Sequence, residues 1–408
     1  MPAPYWRHSN ALGTRQVDAL VVGAGICGLS VAAELLERGL RVAIVERHTL
    51  GAGASSRNAG FLMRGMAENY AAAIGAHGRE RARAMWRFTE ENLAILLDRG
   101  IDALPSFRRV PSCLMAIDTT ELAQLRESIA LLREDGFAAD WLDTHDDSAW
   151  ASGAALGALL NPADASINPW EMLQHLAAPL RPLVLEQQEL LGVHPADARH
   201  AGPLASGNHV IARTTDGLFL ARHVILCTNA YTPRVLAAMH PSLAAARDPA
   251  SVWSIAPTRG QMLAIRPATP YRLDFSYYIS FGHEYVRQTP DGTVVVGGRR
   301  TARVDEEIGY DDEPTVAIQR ELEAFARDTL RLDGEIVARW AGTMGFTPDG
   351  LPLVGPVVSP DLPDRSLWLC AGFTGHGMSL AARTARACVG ELLDGEPSVF
   401  PLGRFGAA

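Results

Sequence analysis

The sequence predicts an α/β protein in which a dinucleotide-binding domain, assembled from separated segments, carries an antiparallel-sheet α+β domain inserted in two pieces. Three features predict it. A glycine fingerprint lies between an apolar strand and a helix near the start. A strand-rich stretch with turn signals fills the middle, and a strand, a glycine-rich turn and a helix close the chain.

Residues 17–22 are a β-rich run leading into Gly23. Leu29, Ala32, Ala33, Leu35 and Leu36 then recur at helical spacing up to a stop at Gly39, and 41–46 form a second strand. Helical stretches over 69–99 and 120–134 end at Gly100 and Gly136, with a strand over 109–117 between them. Residues 252–299 are strand-rich, and Pro290-Asp291-Gly292 marks a hairpin turn between 278–288 and 293–298. A strand over 366–371, a turn over 372–377 and a helix over 378–393 follow. On this reading 1–68, 150–248 and 333–408 build the nucleotide-binding domain, and 69–149 and 249–332 the substrate domain.

Composition excludes several classes. All 37 basic residues are arginine, so chemistry that needs a lysine, Schiff-base catalysis included, is closed. The five cysteines have no CxxC spacing, which argues against a disulfide framework or a metal site. The first 16 residues contain no apolar run of signal-peptide length, so a cytoplasmic protein is expected. The apolar stretch 20–33 is too short and too glycine-interrupted to span a membrane. The net charge is -9. The densest basic patch, Arg79, Arg81, Arg83 and Arg87, is diluted by Glu80, Glu90 and Glu91, so no nucleic-acid partner is expected.

Gly23-Ala24-Gly25-Ile26-Cys27-Gly28 fits GxGxxG in the right context. Gly23 allows the turn, Gly25 lets backbone approach a pyrophosphate, and Gly28 lets helix pack on strand. The helix N-terminus offers free N–H groups to the anion. Glu46 ends the second strand, placed to accept from a ribose diol. Gly51-Ala52-Gly53-Ala54-Ser55-Ser56-Arg57-Asn58-Ala59-Gly60 combines glycines, hydroxyls and an arginine suited to anionic groups. Cys27 reads as a small helix residue rather than a redox thiol. No second fingerprint of equal quality supports a separate NADPH domain.

Further motifs are Cys227-Thr228-Asn229-Ala230-Tyr231, Arg259-Gly260-Gln261, Gly297-Gly298-Arg299, Thr347-Pro348-Asp349-Gly350-Leu351-Pro352 and Gly372-Phe373-Thr374-Gly375-His376-Gly377-Met378. On all of these together the chain resembles the FAD-dependent D-amino acid oxidase, glycine oxidase and sarcosine oxidase (DAO) superfamily from Asp18 to Asp394. The resemblance implies a Rossmann-like FAD-binding domain of glutathione-reductase type with an inserted antiparallel-sheet α+β substrate domain. It also implies C–N oxidation of a small amine, amino acid or N-substituted amino acid by hydride transfer to flavin, with O2 or another electron acceptor. Cofactor contacts are expected at Gly23, Gly25, Gly28, Glu46, Arg47, Ser55, Ser56, Arg57, Asn58, Ala59, Thr228, Asn229, Gly342, Asp349, Gly372, Gly375, His376, Gly377 and Met378.

Departures from the relatives narrow the reading. Met344 stands where D-amino acid and glycine oxidases place the arginine that grips the substrate carboxylate, so weak discrimination for an α-carboxylate is expected. Gly342 and Arg57 stand where relatives link flavin through cysteine or histidine, and Ser379 where sarcosine oxidases carry a lysine. FAD is therefore expected to be non-covalent. Arg64, Tyr278, His283, Tyr285 and Arg287 are candidates to replace the clamp, with His376, Arg64, Tyr285 and Arg287 as the catalytic set. Each also has a structural role open to it: Arg64 paired with Glu68, the others as hairpin members, His376 as a local cap instead of a stabiliser of negative charge on reduced flavin. Two other functions fit the motifs, a 2-hydroxy-acid dehydrogenase and a non-catalytic flavin-binding subunit.

Overall fold

The computed structural model describes residues 14–197, 208–239 and 254–405. A six-stranded sheet runs in the order Leu353–Pro356, Leu367–Ala371, His223–Leu226, Ala19–Val22, Val42–Val45, Val184–Leu185. Its strands are parallel except at the Leu353–Pro356 edge. The central strands are buried on both faces, hence their unbroken apolar runs. Helices Ile26–Glu37 and Gly377–Asp394 pack together against this sheet through Leu29, Ala32, Ala381 and Ala385, all buried. Sequence segments from both ends of the chain thus meet in one layer. Cys27 is buried there, its Sγ 3.4 Å from that of Cys370, a packing position.

The second sheet has eight strands, in the order Gly334–Phe346, Ala256–Pro267, Val294–Gly298, Glu284–Gln288, Ser276–Ile279, Ser112–Ala116, Gly157–Asn161, Asp140–Leu142. Pairing is antiparallel throughout except where Ser276–Ile279 meets Ser112–Ala116. That one parallel pairing is the seam where the two inserted pieces of chain join. Two of its strands, Gly157–Asn161 and Gly334–Phe346, come from stretches assigned above to the nucleotide-binding domain. Helix Val316–Ala324 covers one face through Ile318 and Leu322. A smaller four-stranded sheet contains Thr14–Gln16, Gly217–Ala221, Val210–Thr214 and Leu190–Pro195.

Two elements differ from the sequence reading. The helical stretch 69–99 is two helices, Tyr70–His77 and Arg79–Asp98, broken at Gly78, whose φ of 82° is left-handed. The strand expected over 278–288 is interrupted after Ile279 by a turn with positive φ at Ser280, Phe281 and Gly282. The hairpin at Pro290-Asp291-Gly292 forms, pairing Gln288 with Val294 and Glu284 with Gly298. The first 13 residues, Val252 and the expected domain boundary at 248/249 lie outside the described residues.

Candidate active site

An elongated space opens at the C-terminal ends of the parallel strands, as two cavities that share Ala54 and Arg57 as walls. The first, of about 390 Å³, is lined by Gly23, Gly25, Glu46, Arg47, Ser55, Thr228 and Asn229 among others. Gly23 has φ 103°, and a Cβ on Gly28 would sit 1.9 Å from the Gly23 carbonyl oxygen, so strand and helix approach this closely only with both glycines. Helix Ile26–Glu37 starts at Gly25 without a side-chain cap of its own, although the Ile26 amide donates to Ser55 Oγ at 3.0 Å. Glu46 accepts from the amides of Ala24 and His48, both at 2.9 Å, and so holds the acid at the cavity wall. Arg47 lies over the Tyr231 ring at 4.5 Å.

The second cavity, of about 130 Å³, lies between the two sheets. Asn58, Ala59, Gly60 and Gly342 form one wall, and Thr374, Gly375, His376, Met378 and Ser379 another. Phe61, Tyr278 and Tyr285 stand opposite as an aromatic cluster, with Phe61 edge-on to Tyr278 at 5.3 Å. Tyr285 faces Gly297 across the hairpin, where a Cβ would lie 2.2 Å from its ring. Burial pushes the Tyr285 hydroxyl up to about 12, so it is neutral and able to donate.

His376 is neutral too, because burial lowers its pKa. Its Nδ1–H donates to the Thr374 carbonyl at 3.0 Å, which leaves Nε2 as a bare acceptor. In this tautomer Nε2 accepts rather than donates. The uncapped first turn of helix Gly377–Asp394 supplies the positive pole instead.

Several expected residues are otherwise employed. Arg64 has a nearly buried side chain that donates to Glu90 at 3.2 Å and to Asn161 at 2.7 Å, rather than pairing with Glu68. Arg287 shares the face of Tyr285, as strand alternation requires, but its Nε donates to the Ala59 carbonyl and its Nη2 to that of Ile167 at 2.9 Å. Burial pulls its pKa down to about 10. It pins the segment 59–60 and does not line the cavity. Asp349 is bonded to Arg404 at 2.7 and 2.9 Å and lies on neither cavity.

Other members of the expected cofactor set are bonded within the protein, whether or not they line a cavity. Ser56 donates to the Gly51 carbonyl, and Asn58 bonds within its own loop. Asn229 accepts from the amides of Gly372 and Phe373. Gly28, Gly372 and Gly377 serve packing and turns. Arg57 reaches the cavities with its guanidinium engaged by Asp312 at 2.6 Å and the Ala341 carbonyl at 3.0 Å.

The residue missed in the sequence is Arg300. It lines the inner cavity, half-buried, with its guanidinium 4.4 Å over the Phe346 ring. Among the described residues it makes no ion pair and no hydrogen bond, and burial lowers its pKa. It follows directly on Gly297-Gly298-Arg299, and the sequence offers no signal that separates it from Arg299. The structure does: Arg299 is bonded to Glu284 at 2.9 Å and Glu321 at 3.1 Å.

The residues fit a flavin dinucleotide: an uncapped helix N-terminus and glycine turn for the pyrophosphate, an acid for the ribose, and a second, mixed cavity for the ring system. Residues 18–390 match DAO, the family described as FAD dependent oxidoreductase. The chain belongs to that family. It is 26% identical over 396 residues to glycine oxidase from Pseudomonas aeruginosa, covering 94% of this chain and 96% of that one. It is also 26% identical over 394 residues to gamma-glutamylputrescine oxidoreductase from Escherichia coli, covering 94% and 85%. The fold matches that of L-proline dehydrogenase from P. horikoshii with a TM-score of 0.72 at 19% identity, covering 96% and 97% of the two chains. This DAO protein is thus an FAD-dependent oxidoreductase, and none of its described helices is long and apolar enough to cross a membrane.

Proposed function

We propose that this oxidoreductase oxidises the C–N bond of an amino acid or N-substituted amino acid whose carboxylate is held by Arg300. The observation that carries the reading is the guanidinium of Arg300 in the inner cavity, which is unpaired among the described residues. A desolvated cation without a counter-charge is costly, and a substrate carboxylate relieves that cost while gaining a charge-assisted contact. FAD, held non-covalently in a cavity whose ring-system part no cysteine lines, supplies the hydride acceptor.

The chain's own groups divide the remaining work. Arg300 and the neutral Tyr285 hydroxyl orient the carboxylate end. His376 Nε2 takes one proton from the substrate ammonium, which frees the nitrogen lone pair. Phe61, Met262, Met344 and Phe346 exclude water from the reacting carbon. Loss of hydride from that carbon leaves an iminium ion, which water hydrolyses to a carbonyl and a released amine.

Product analysis tests the reading. One carbonyl and one released amine per flavin bleached are expected from an amino acid substrate. Bleaching by 2-hydroxy acids alone, with no amine released, would overturn it.

A further inference from the structure

A third cavity, of about 270 Å³, adjoins the inner one and shares Met63, Tyr278, Gly282 and His376 with it. Most of its wall is apolar, including Met66, Trp86, Leu125 and Phe281, but three charged side chains also line it: Arg64, Glu68 and Glu121. Arg64 is already neutralised by Glu90. Glu68 holds His77 at 3.2 Å and keeps a partly exposed carboxylate.

Glu121 is unusual. The residue is 3% exposed, and its Oε1 accepts the Phe281 amide at 2.6 Å, which anchors the positive-φ turn that separates the two cavities. Among the described residues its Oε2 is buried without a hydrogen bond, although the Ile117 backbone also acts on the carboxylate and opposes the effect of burial. A buried acceptor left without a donor is expensive, and the surroundings add to the cost. Burial, then Asp118 and more weakly Glu284, push the carboxyl up to about 7. The negative charges of Asp118 and Glu284 beside it favour a positive charge at this end, opposite in sign to Arg300 at the other.

We propose that this cavity is a distal subsite that receives the ammonium end of an extended substrate, with Glu121 Oε2 as its acceptor. The proposal rests on the reading that the reacting end is an amino acid held at Arg300. The substrate class is then a zwitterion with a second amine several bonds beyond the oxidised C–N bond. A diamino acid, or a glycine N-substituted with an aminoalkyl chain, has this form. The wide, apolar middle of the cavity suits the methylene chain, and Tyr278 and His376 stand where that chain passes from one cavity to the next.

The test uses isosteric pairs that differ only in the terminal group: ornithine against norleucine of the same configuration, and N-(3-aminopropyl)glycine against N-butylglycine. Alanine and sarcosine serve as short members. Anaerobic flavin reduction gives kcat/KM for each with the holoenzyme. The ammonium member of a reactive pair should exceed its methyl partner by roughly tenfold or more. Glu121→Gln keeps an oxygen for the Phe281 amide and replaces the orphan acceptor with a donor, and should bring that ratio to about one or below. Because the ratio is taken within one protein, a general loss of activity cancels.

A wild-type ratio near one, with alanine or sarcosine reducing the flavin, overturns the subsite and leaves the amino acid reading intact. A preference unchanged in Glu121→Gln also overturns it. Reduction by none of the six compounds overturns the amino acid reading and the subsite together.

Discussion

Replacing Arg300 by Met removes the cation while keeping most of the side-chain volume over Phe346. Among the described residues the guanidinium has no anion of its own, so on the proposed reading a substrate carboxylate would gain a charge-assisted, bidentate contact when it binds. Such contacts contribute about 1.5–3 kcal/mol, and their loss lowers the rate about 10 to 150 fold. Tyr285 remains in place, which favours the lower half of that range. The free protein behaves in the opposite sense. Removing an uncompensated, partly desolvated cation does not destabilise it, so the variant should melt no lower than wild type. The assay is single-turnover flavin reduction with alanine and with ethylamine, which differ only in the carboxylate. The acid should slow by the stated factor while the amine changes little. Equal losses for both compounds, or no loss for either, would refute the role given to Arg300.

Other perturbations follow from the same geometry. Gly25→Val and Glu46→Ala should purify largely without FAD, since one blocks the pyrophosphate approach and the other removes the ribose acceptor along with the Ala24 and His48 bonds; flavin absorbance per protein measures this. Arg287→Met leaves the carbonyls of Ala59 and Ile167 without their donor and should destabilise the protein by about 1–3 kcal/mol in denaturant melts. Its alanine-to-ethylamine preference should stay as in wild type. His376 is lowered below its ordinary 6.5, so its Nε2 is free at neutral pH and becomes protonated only in acid. The kcat/KM should therefore rise with pH through a limb lying below about 6.5. In His376→Asn that limb should vanish from the pH profile while the higher limb of the substrate amine persists. FAD should leave the denatured protein entirely, leaving no fluorescence on the chain in a gel.

The nucleotide half of the fold was legible because its constraints are local. A tight turn, a close helix and a strand-end acid each require particular residue types at fixed spacing, so Gly23, Gly28 and Glu46 are readable one by one. The substrate half was less legible because its arginines look alike in sequence. Whether Arg64, Arg287, Arg299 or Arg300 is free depends on long-range partners: Glu90 and Asn161 for Arg64, the Ala59 and Ile167 carbonyls for Arg287, Glu284 and Glu321 for Arg299. Only the folded chain shows that three of these charges are spent and that Arg300, among the described residues, is not. The position of Asp349, away from both cavities, was illegible for the same reason, since its partner Arg404 lies near the far end of the sequence. The split strand at Ser280 to Gly282 was hidden because two of its three positive-φ positions are not glycine; the turn is held in place by Glu121 from another element.

The most direct test of the account is an anaerobic screen of the purified flavoprotein against amino acids, the amines that correspond to them without the carboxylate, and the matching 2-hydroxy acids. Flavin bleaching and released amine are followed together. Amino acids or N-substituted amino acids should bleach the flavin fastest, with stoichiometric amine release. Simple amines should be slower by one to two orders of magnitude, on the order of the Arg300 contact. Amines equal to or faster than their acids, or bleaching confined to hydroxy acids, would contradict it.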